Sequence, residues 1–191
     1  MFAREASREA VTTRVHFHAQ LDVVWRGILF YEDVLERPPF PLRAVLPRPL
    51  RTDGDKTRAG SEVHCVYAGG GVVKRITAVE PARLLQFDVV EQSLGIESCV
   101  LAQSGAYRFF LCGEGTDVVL VTNYLAYLHP RRLWRPLEAL LTRQLHRHIL
   151  AAVRTALGLP GPPTRADLGP SCRPESPGGL ACTTSRSRSH W

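Results

Sequence analysis

The chain has 191 residues, 45% of them hydrophobic and 22% charged, so it is long enough for one well-buried domain and too short for two comfortable ones. Its formal net charge is +6, and its five cysteines show no C-x-x-C spacing, which excludes a zinc ribbon; their odd number favours reduced thiols over a disulfide framework. No stretch approaches the roughly 20 apolar residues of a membrane-spanning helix and the first residues lack a signal-peptide pattern, so we expect a cytoplasmic protein.

The N-terminal part combines a strand pattern with a helix pattern. After an expected extension over residues 1–9, residues 10–18 alternate apolar and polar side chains with the period of a half-buried strand. Residues 20–35 then place apolar side chains at helical spacing, and a proline-rich stretch from Pro38 to Pro49 ends this pattern. The sequence predicts a first strand followed by one or two short helices.

Five further strand-like segments fill most of residues 61–127. They cover residues 61–67, 71–79, 84–92, 98–111 and 117–127. The turns between them are short and glycine-rich, and short connections make successive strands antiparallel neighbours. We therefore expect an antiparallel meander.

A long amphipathic helix is predicted from Pro130 to about Leu157. Pro136 lies within its first turns, where a missing N–H costs little, and Gly158 supplies a stop signal. At 100° per residue one face is apolar and the opposite face is rich in arginine. The apolar face comprises Leu133, Trp134, Leu137, Leu141, Leu145 and Ala152, and the basic face comprises Arg132, Arg135, Arg143, Arg147 and Arg154.

Most of the positive charge belongs to this helix, since residues 129–157 carry six basic groups and one acidic group. Such a face could meet an anionic membrane surface through Arg132, Arg135, Arg143 and Arg147, although a solvated helix face is the commoner explanation. No aromatic residues are interleaved there, so specific nucleic-acid binding is not expected. Residues 158–191 are rich in Pro, Gly, Ser and Arg, which predicts a disordered tail.

The order of these segments resembles the START-like superfamily, also called SRPBCC or helix-grip, which includes proteins labelled polyketide cyclase/dehydrase and lipid transport. The resemblance covers residues 10–157, the expected domain. It rests on the Gln20–Trp25 segment after strand one, the stretch from Ile76 to Phe87 with its Glu-Pro turn, Gly115–Val118 before the last strand, and Leu145–Leu150 in the final helix. It implies an α+β helix-grip fold, in which a curved antiparallel sheet of six to seven strands wraps around the terminal helix. It also implies an elongated cavity for an apolar or amphipathic small molecule.

Strand and helix phase predict which side chains face that cavity. Leu85, Phe87 and Val89 alternate with polar neighbours, and the same phase turns Glu91 inward unless it lies at a solvated rim. His148 falls near the centre of the apolar helix stripe, either as a ligand contact or as a hydrogen-bonded core histidine. The resemblance favours inward positions on the last two strands as well. The predicted ligand contacts are Tyr107, Phe109, Thr122, Tyr124, Phe87, Val89, Leu137, Leu141, Gln144 and His148.

Three functions fit this pattern. The first is non-catalytic binding or transport of a lipid-like or polycyclic molecule. The second is a polyketide-type cyclase or dehydratase, with His148 and Glu91 as the acid/base candidates. The third is an interaction module with an inert core that docks through its arginine face.

No metal or other cofactor is predicted. His146 and His148 point about 200° apart on a helix and cannot share an ion. His16 and His18 share the outer face of the first strand, without an evident third ligand. Dinucleotide, phosphate-loop and nucleophile-elbow motifs are absent from the sequence. The oligomeric state is left open.

Overall fold

The computed structural model describes residues 6–29, 40 and 49–159. Most of the proline-rich stretch lies outside these residues, as does the predicted tail beyond Leu159. The described elements are β1 (Ser7–Phe17), α1 (Leu21–Leu29), β2 (Pro49–Gly54), β3 (Glu62–Tyr67), β4 (Gly70–Glu80), β5 (Leu84–Gln92), β6 (Val100–Cys112), β7 (Gly115–Ala126) and α2 (Arg131–Ala156).

The seven strands form one sheet in the order β1-β7-β6-β5-β4-β3-β2, with antiparallel pairing throughout. Strands β2 to β7 follow one another as a meander, and β1 pairs along its whole length with β7. This curved sheet, with a short helix after its first strand and a long helix at its end, is the helix-grip fold, as predicted. Strand β2 was not predicted, because its Pro-Leu-Arg-Thr-Asp-Gly sequence shows no apolar alternation.

A hydrophobic core fills one end of the space between the sheet and the helices. It joins Trp25 and Ile28 of α1, Leu150 and Val153 of α2, and inward side chains of the strands. Trp25 packs edge-to-face on Phe109, with ring centroids 5.1 Å apart. This aromatic contact closes the core beneath α1.

Helix α2 is unbroken despite Pro136. It ends where Gly158 adopts a left-handed conformation, at φ +67°, that suits a residue without a side chain. The N–H groups of Gly158 and Leu159 donate to the carbonyls of Thr155 and Arg154. The predicted stop signal is therefore confirmed.

The predicted buried face of α2 is only partly correct. Leu133 and Leu137, predicted to pack, are 65% and 43% exposed, whereas Glu138 and His146 are buried. Arg154, predicted on the solvated face, is also buried. Its guanidinium donates to the carbonyl of His16 and lies 5.3 Å from the centroid of the Phe17 ring.

The cysteines differ from the expectation of reduced thiols. Cys112 is disulfide-bonded, whereas Cys65 and Cys99 are free. No helix in the described part of the chain is both long enough and apolar enough to cross a lipid bilayer.

Candidate ligand cavity

A cavity of about 210 Å³ lies between the sheet and the middle of α2. Its walls are mainly apolar, with side chains from β4 to β7 on one side and from α2 on the other. Leu150 and Val153, near the C-terminal end of α2, are buried, whereas Leu141, Leu145 and Ile149 in the middle of the helix line the cavity. Six of the ten predicted ligand contacts line it, namely Tyr107, Thr122, Tyr124, Phe87, Val89 and Leu141.

A second chamber of about 90 Å³ adjoins the first and extends toward α1 and β2. The two chambers share the side chains of Tyr67, Lys74, Phe87, Tyr107 and Ile149, which form the wall between them. Together the chambers reach the lower end of the roughly 300–1,000 Å³ range of small-molecule sites.

Four predicted contacts do not line either chamber: Phe109, Leu137, Gln144 and His148. Phe109 belongs to the core beneath α1, and Leu137 is exposed. Gln144 and His148 lie to one side of the inward stripe, which runs through Glu138, Leu145, His146 and Ile149. The shift follows from the rotation of α2.

Glu91 is exposed and lies on the outer face of the sheet. A register irregularity is the reason: Lys74 pairs with Val89, and the preceding Val73 pairs with Glu91, so Val90 is an extra residue in β5. Gln92 takes the inward position that the uninterrupted alternation had given to Glu91. His148 and Glu91 therefore share no cavity, and the acid/base pair predicted for a cyclase is wrong.

His146 joins α2 to two strands from inside the molecule. One ring nitrogen, Nε2, lies 2.8 Å from Thr122 Oγ1, and Nδ1 lies 2.9 Å from Thr13 Oγ1. Burial lowers the pKa of His146 to about 4, so the ring is neutral at pH 7. A neutral imidazole has one donor and one acceptor nitrogen, and both are used here. His146 is thus a hydrogen-bonded link between α2 and the sheet in the cavity wall, and neither of its ring nitrogens is available for proton transfer.

A buried ion cluster closes the end of the cavity near the start of α2. Arg131 donates two hydrogen bonds to the Glu138 carboxylate, at 2.8 and 2.7 Å, and a third to Glu9 of β1 at 3.1 Å. Arg135 also pairs with Glu9 at 3.1 Å. Burial, followed by the nearby carboxylates of Glu138 and Glu9, raises the pKa of Tyr124 to about 12. This cluster fixes the rotation of α2 and turns Glu138 inward.

The sheet is open at one place along the cavity. Backbone pairing between β5 and β6 runs only from Leu84 to Asp88, although β5 continues to Gln92. The Gln92 side chain spans this gap, since its Nε2 donates to the Val100 carbonyl at 3.0 Å and its Oε1 accepts from the Ala102 N–H at 2.9 Å. The segment between β5 and β6 contributes Leu94 and Ile96 to the cavity lining. A side-chain bridge thus replaces ladder hydrogen bonds between β5 and β6 beside the cavity.

Lys74 is a polar lining residue that the sequence analysis did not identify. It lies on the inner face of β4 between Val72 and Ile76, both of which are buried. That alternation was visible in the sequence, because residues 72, 74 and 76 share one phase. Its ammonium lies 4.8 Å from the centroid of the Phe87 ring.

One group of three potential metal ligands occurs in the described part of the chain: His16, Cys112 and Asp117, whose ligand atoms lie within 4.8 Å of one another. Cys112 is disulfide-bonded and offers no thiolate. Asp117 already accepts hydrogen bonds from Arg14 at 2.9 Å and lies 2.7 Å from His16 Nδ1. These partners compensate its charge, and the group is best explained as a buried ion pair.

No protein-family model matches the sequence, and no curated protein matches it. Solved structures match its fold. Ara h 8.0201 superimposes with a TM-score of 0.54 at 10% identity, covering 79% of this chain and 98% of that one. The Zhui aromatase/cyclase from Streptomyces sp. R1128 gives 0.53 at 22% identity, covering 80% and 94%. Norcoclaurine synthase from Thalictrum flavum, solved with dopamine and hydroxybenzaldehyde, gives 0.51 at 14% identity, covering 78% and 88%. The chain therefore has the helix-grip fold of START-like proteins.

Proposed function

We propose that this chain binds a hydrophobic or amphipathic small molecule in the cavity between its sheet and α2. The observation that carries the proposal is the pair of adjoining chambers, of about 210 and 90 Å³, with mainly apolar walls and a few polar groups. Enclosure of apolar ligand surface contributes roughly 25 cal/mol per Å² removed from water. The cavity is too large to be explained as a packing defect, because native cores contain few voids larger than one water molecule.

Neighbours of the same fold include a ligand-bound norcoclaurine synthase and an aromatase/cyclase. Catalysis in this chain would need an acid/base pair directed into the chambers. The predicted pair is not there, and both ring nitrogens of His146 are already hydrogen-bonded. Binding is the function that we favour, and turnover would have to use other groups of the lining, such as Lys74, Tyr67 and Tyr107.

The experiment is a fluorescence titration with N-phenyl-1-naphthylamine, a neutral probe that brightens in apolar surroundings. We expect saturable binding to the full chain and loss of binding in Val89→Trp, which fills the larger chamber. Val90→Trp is the matched control, because Val90 is 43% exposed on the outer face of the same strand. Equal binding by both variants would place the probe elsewhere and overturn the proposal.

A membrane contact is a second, separate proposal for the outer face of α2. Leu133, Leu137 and Leu140 are exposed on this helix, at one-turn spacing and among the exposed arginines at positions 132, 135, 143 and 147. Apolar side chains flanked by cations suit an anionic bilayer surface. Co-sedimentation with phosphatidylglycerol vesicles should exceed that with phosphatidylcholine vesicles and should fall in Leu133→Ser. Equal sedimentation with both lipids would contradict it.

A further inference from the structure

The wall shared by the two chambers carries an unusual combination of donors. Lys74, Tyr67 and Tyr107 line both chambers, so their polar ends are directed to one region of the cavity. Lys74 interacts electrostatically with both tyrosines and with Cys65. The Lys74 ammonium lies over the face of the Phe87 ring. An ammonium and two phenol groups are therefore gathered at the junction of the chambers.

No carboxylate of the described residues lies within ion-pair distance of Lys74. The ion pairs of that part of the chain all involve other cations. Burial lowers the pKa of Lys74, but interactions with Cys65, Tyr107 and Tyr67, together with a hydrogen bond to Cys65, outweigh it, so the pKa is raised and Lys74 is an ammonium at pH 7. Burial also raises the pKa of Tyr67 and of Tyr107, so both phenols are neutral at pH 7. The described residues thus place two neutral phenols and the Cys65 sulfur beside Lys74, and no carboxylate.

A buried ammonium without an anion is costly, because its lost hydration is not replaced. Natural cores rarely retain such a group unless it is paired. Glu138, the carboxylate in the larger chamber, is held by Arg131 through two hydrogen bonds. A carboxylate on a bound ligand would supply the negative charge that no carboxylate of the described residues brings to Lys74.

We propose that Lys74, Tyr67 and Tyr107 form an anchor for a carboxylate group, so that the ligand is an apolar carboxylic acid with its body in the larger chamber. This inference rests on the proposed binding function and specifies its ligand class. The carboxylate accepts hydrogen bonds from the ammonium and from the phenol hydroxyls. The Leu120, Leu141 and Leu145 side chains contact the apolar body in the larger chamber.

The test uses two competitors of the same size, 2-naphthoate and 2-naphthalenemethanol, each titrated directly by calorimetry and by displacement of N-phenyl-1-naphthylamine at pH 7.5. We expect the full chain to bind the acid about 10- to 100-fold more tightly than the alcohol, the range for charged hydrogen bonds. Lys74→Met should lower the ratio of the two affinities to about one.

Arg75→Met is the matched control, since it removes the same charge from the outer face of the same strand, where Arg75 pairs with Glu62. It should retain the preference for the acid. The ratio of the acid and alcohol affinities within each variant is the readout, so a general change of cavity shape in Lys74→Met does not imitate loss of the anchor. Equal affinity of the full chain for acid and alcohol, or a preference that persists in Lys74→Met, overturns the anchor while leaving the cavity function standing. If neither the probe nor either competitor binds, the proposed function fails and the anchor fails with it.

Discussion

His146 provides a direct test of how α2 sits on the sheet. In the folded chain, burial lowers its pKa from 6.5 to about 4. Between these two pH values the unfolded chain binds a proton that the folded chain does not, so stability present above pH 6.5 is lost as the pH falls toward 4. One pH unit across this window corresponds to about 1.4 kcal/mol. The full contribution of His146 to acid destabilisation is therefore on the order of 3 kcal/mol.

The perturbation is His146→Gln, which keeps a donor and an acceptor but cannot be protonated. Urea unfolding followed by tryptophan fluorescence would give the free energy of unfolding at pH 7.5, 6.5, 5.5 and 4.5. At pH 7.5 the variant should be less stable by about 1–3 kcal/mol, because the fit to Thr13 and Thr122 is lost. This difference should shrink as the pH falls, because only the wild-type chain must keep an imidazole unprotonated when it folds, and the free energy of doing so rises as the pH falls.

His64→Gln is the control for loss of an imidazole as such, because His64 is exposed on the outer face of β3. It should leave the difference from the wild-type chain nearly constant with pH. Parallel pH profiles for the wild-type chain and His146→Gln would refute the reasoning. They would mean that His146 is solvated, and that α2 is rotated on the sheet from the position described.

Three other substitutions test the cavity wall. Lys74→Met should raise the free energy of unfolding in urea by about 1–3 kcal/mol, because an ammonium inside the cavity, with no carboxylate partner among the described residues, is replaced by an apolar side chain of similar length. A loss of stability would argue against an unneutralised charge. Gln92→Ala removes both hydrogen bonds across the gap between β5 and β6. Its free energy of unfolding in urea should be lower by about 1–2 kcal/mol. N-phenyl-1-naphthylamine should also enter the cavity faster in stopped-flow mixing. An unchanged entry rate would place the entrance elsewhere. In Gly105→Ala the new Cβ would lie 2.4 Å from Phe87 Cζ, so the ring should be pushed into the cavity. We expect weaker binding of the probe in titration and a free energy of unfolding lower by about 1–3 kcal/mol. Unchanged affinity for the probe would mean that the ring moves away from the cavity.

The strand order and the long helix could be predicted because both depend on local patterns. Alternation over residues 84–92 gave the bounds of β5, and the spacing of apolar residues gave α2 to within a residue or two at each end. The outward position of Glu91 could not be predicted, because the extra residue Val90 reverses the phase of β5 only in the context of its partner strand β4. The register of a strand depends on how it pairs with its neighbours, and the sequence of one strand alone does not determine that pairing.

The rotation of α2 was missed for a different reason. An arrangement that buries Leu133 and Leu137 maximises apolar burial by the helix alone, and it places His148 at the centre of the buried stripe. The observed arrangement exposes both leucines and buries Glu138 and His146 instead. Glu138 is tolerated there because Arg131 donates two hydrogen bonds to it and also reaches Glu9 on β1, 122 positions earlier in the chain. His146 is tolerated because threonines of β1 and β7 accept or donate at both ring nitrogens.

These partners come from strands distant in sequence, so helical periodicity could not reveal them. Satisfied polar groups on the inner face of α2 occupy positions that a fully apolar helix would fill with leucine. Leucine at those positions would pack against Thr122 and Tyr124 and reduce the space between helix and sheet. The hydrogen-bonded side chains of Glu138 and His146 therefore have two effects. They set the rotation of α2, and they keep its middle section from packing directly against the sheet. The cavity is a consequence of long-range hydrogen bonding, and for that reason its lining could be predicted from the strands more reliably than from the helix.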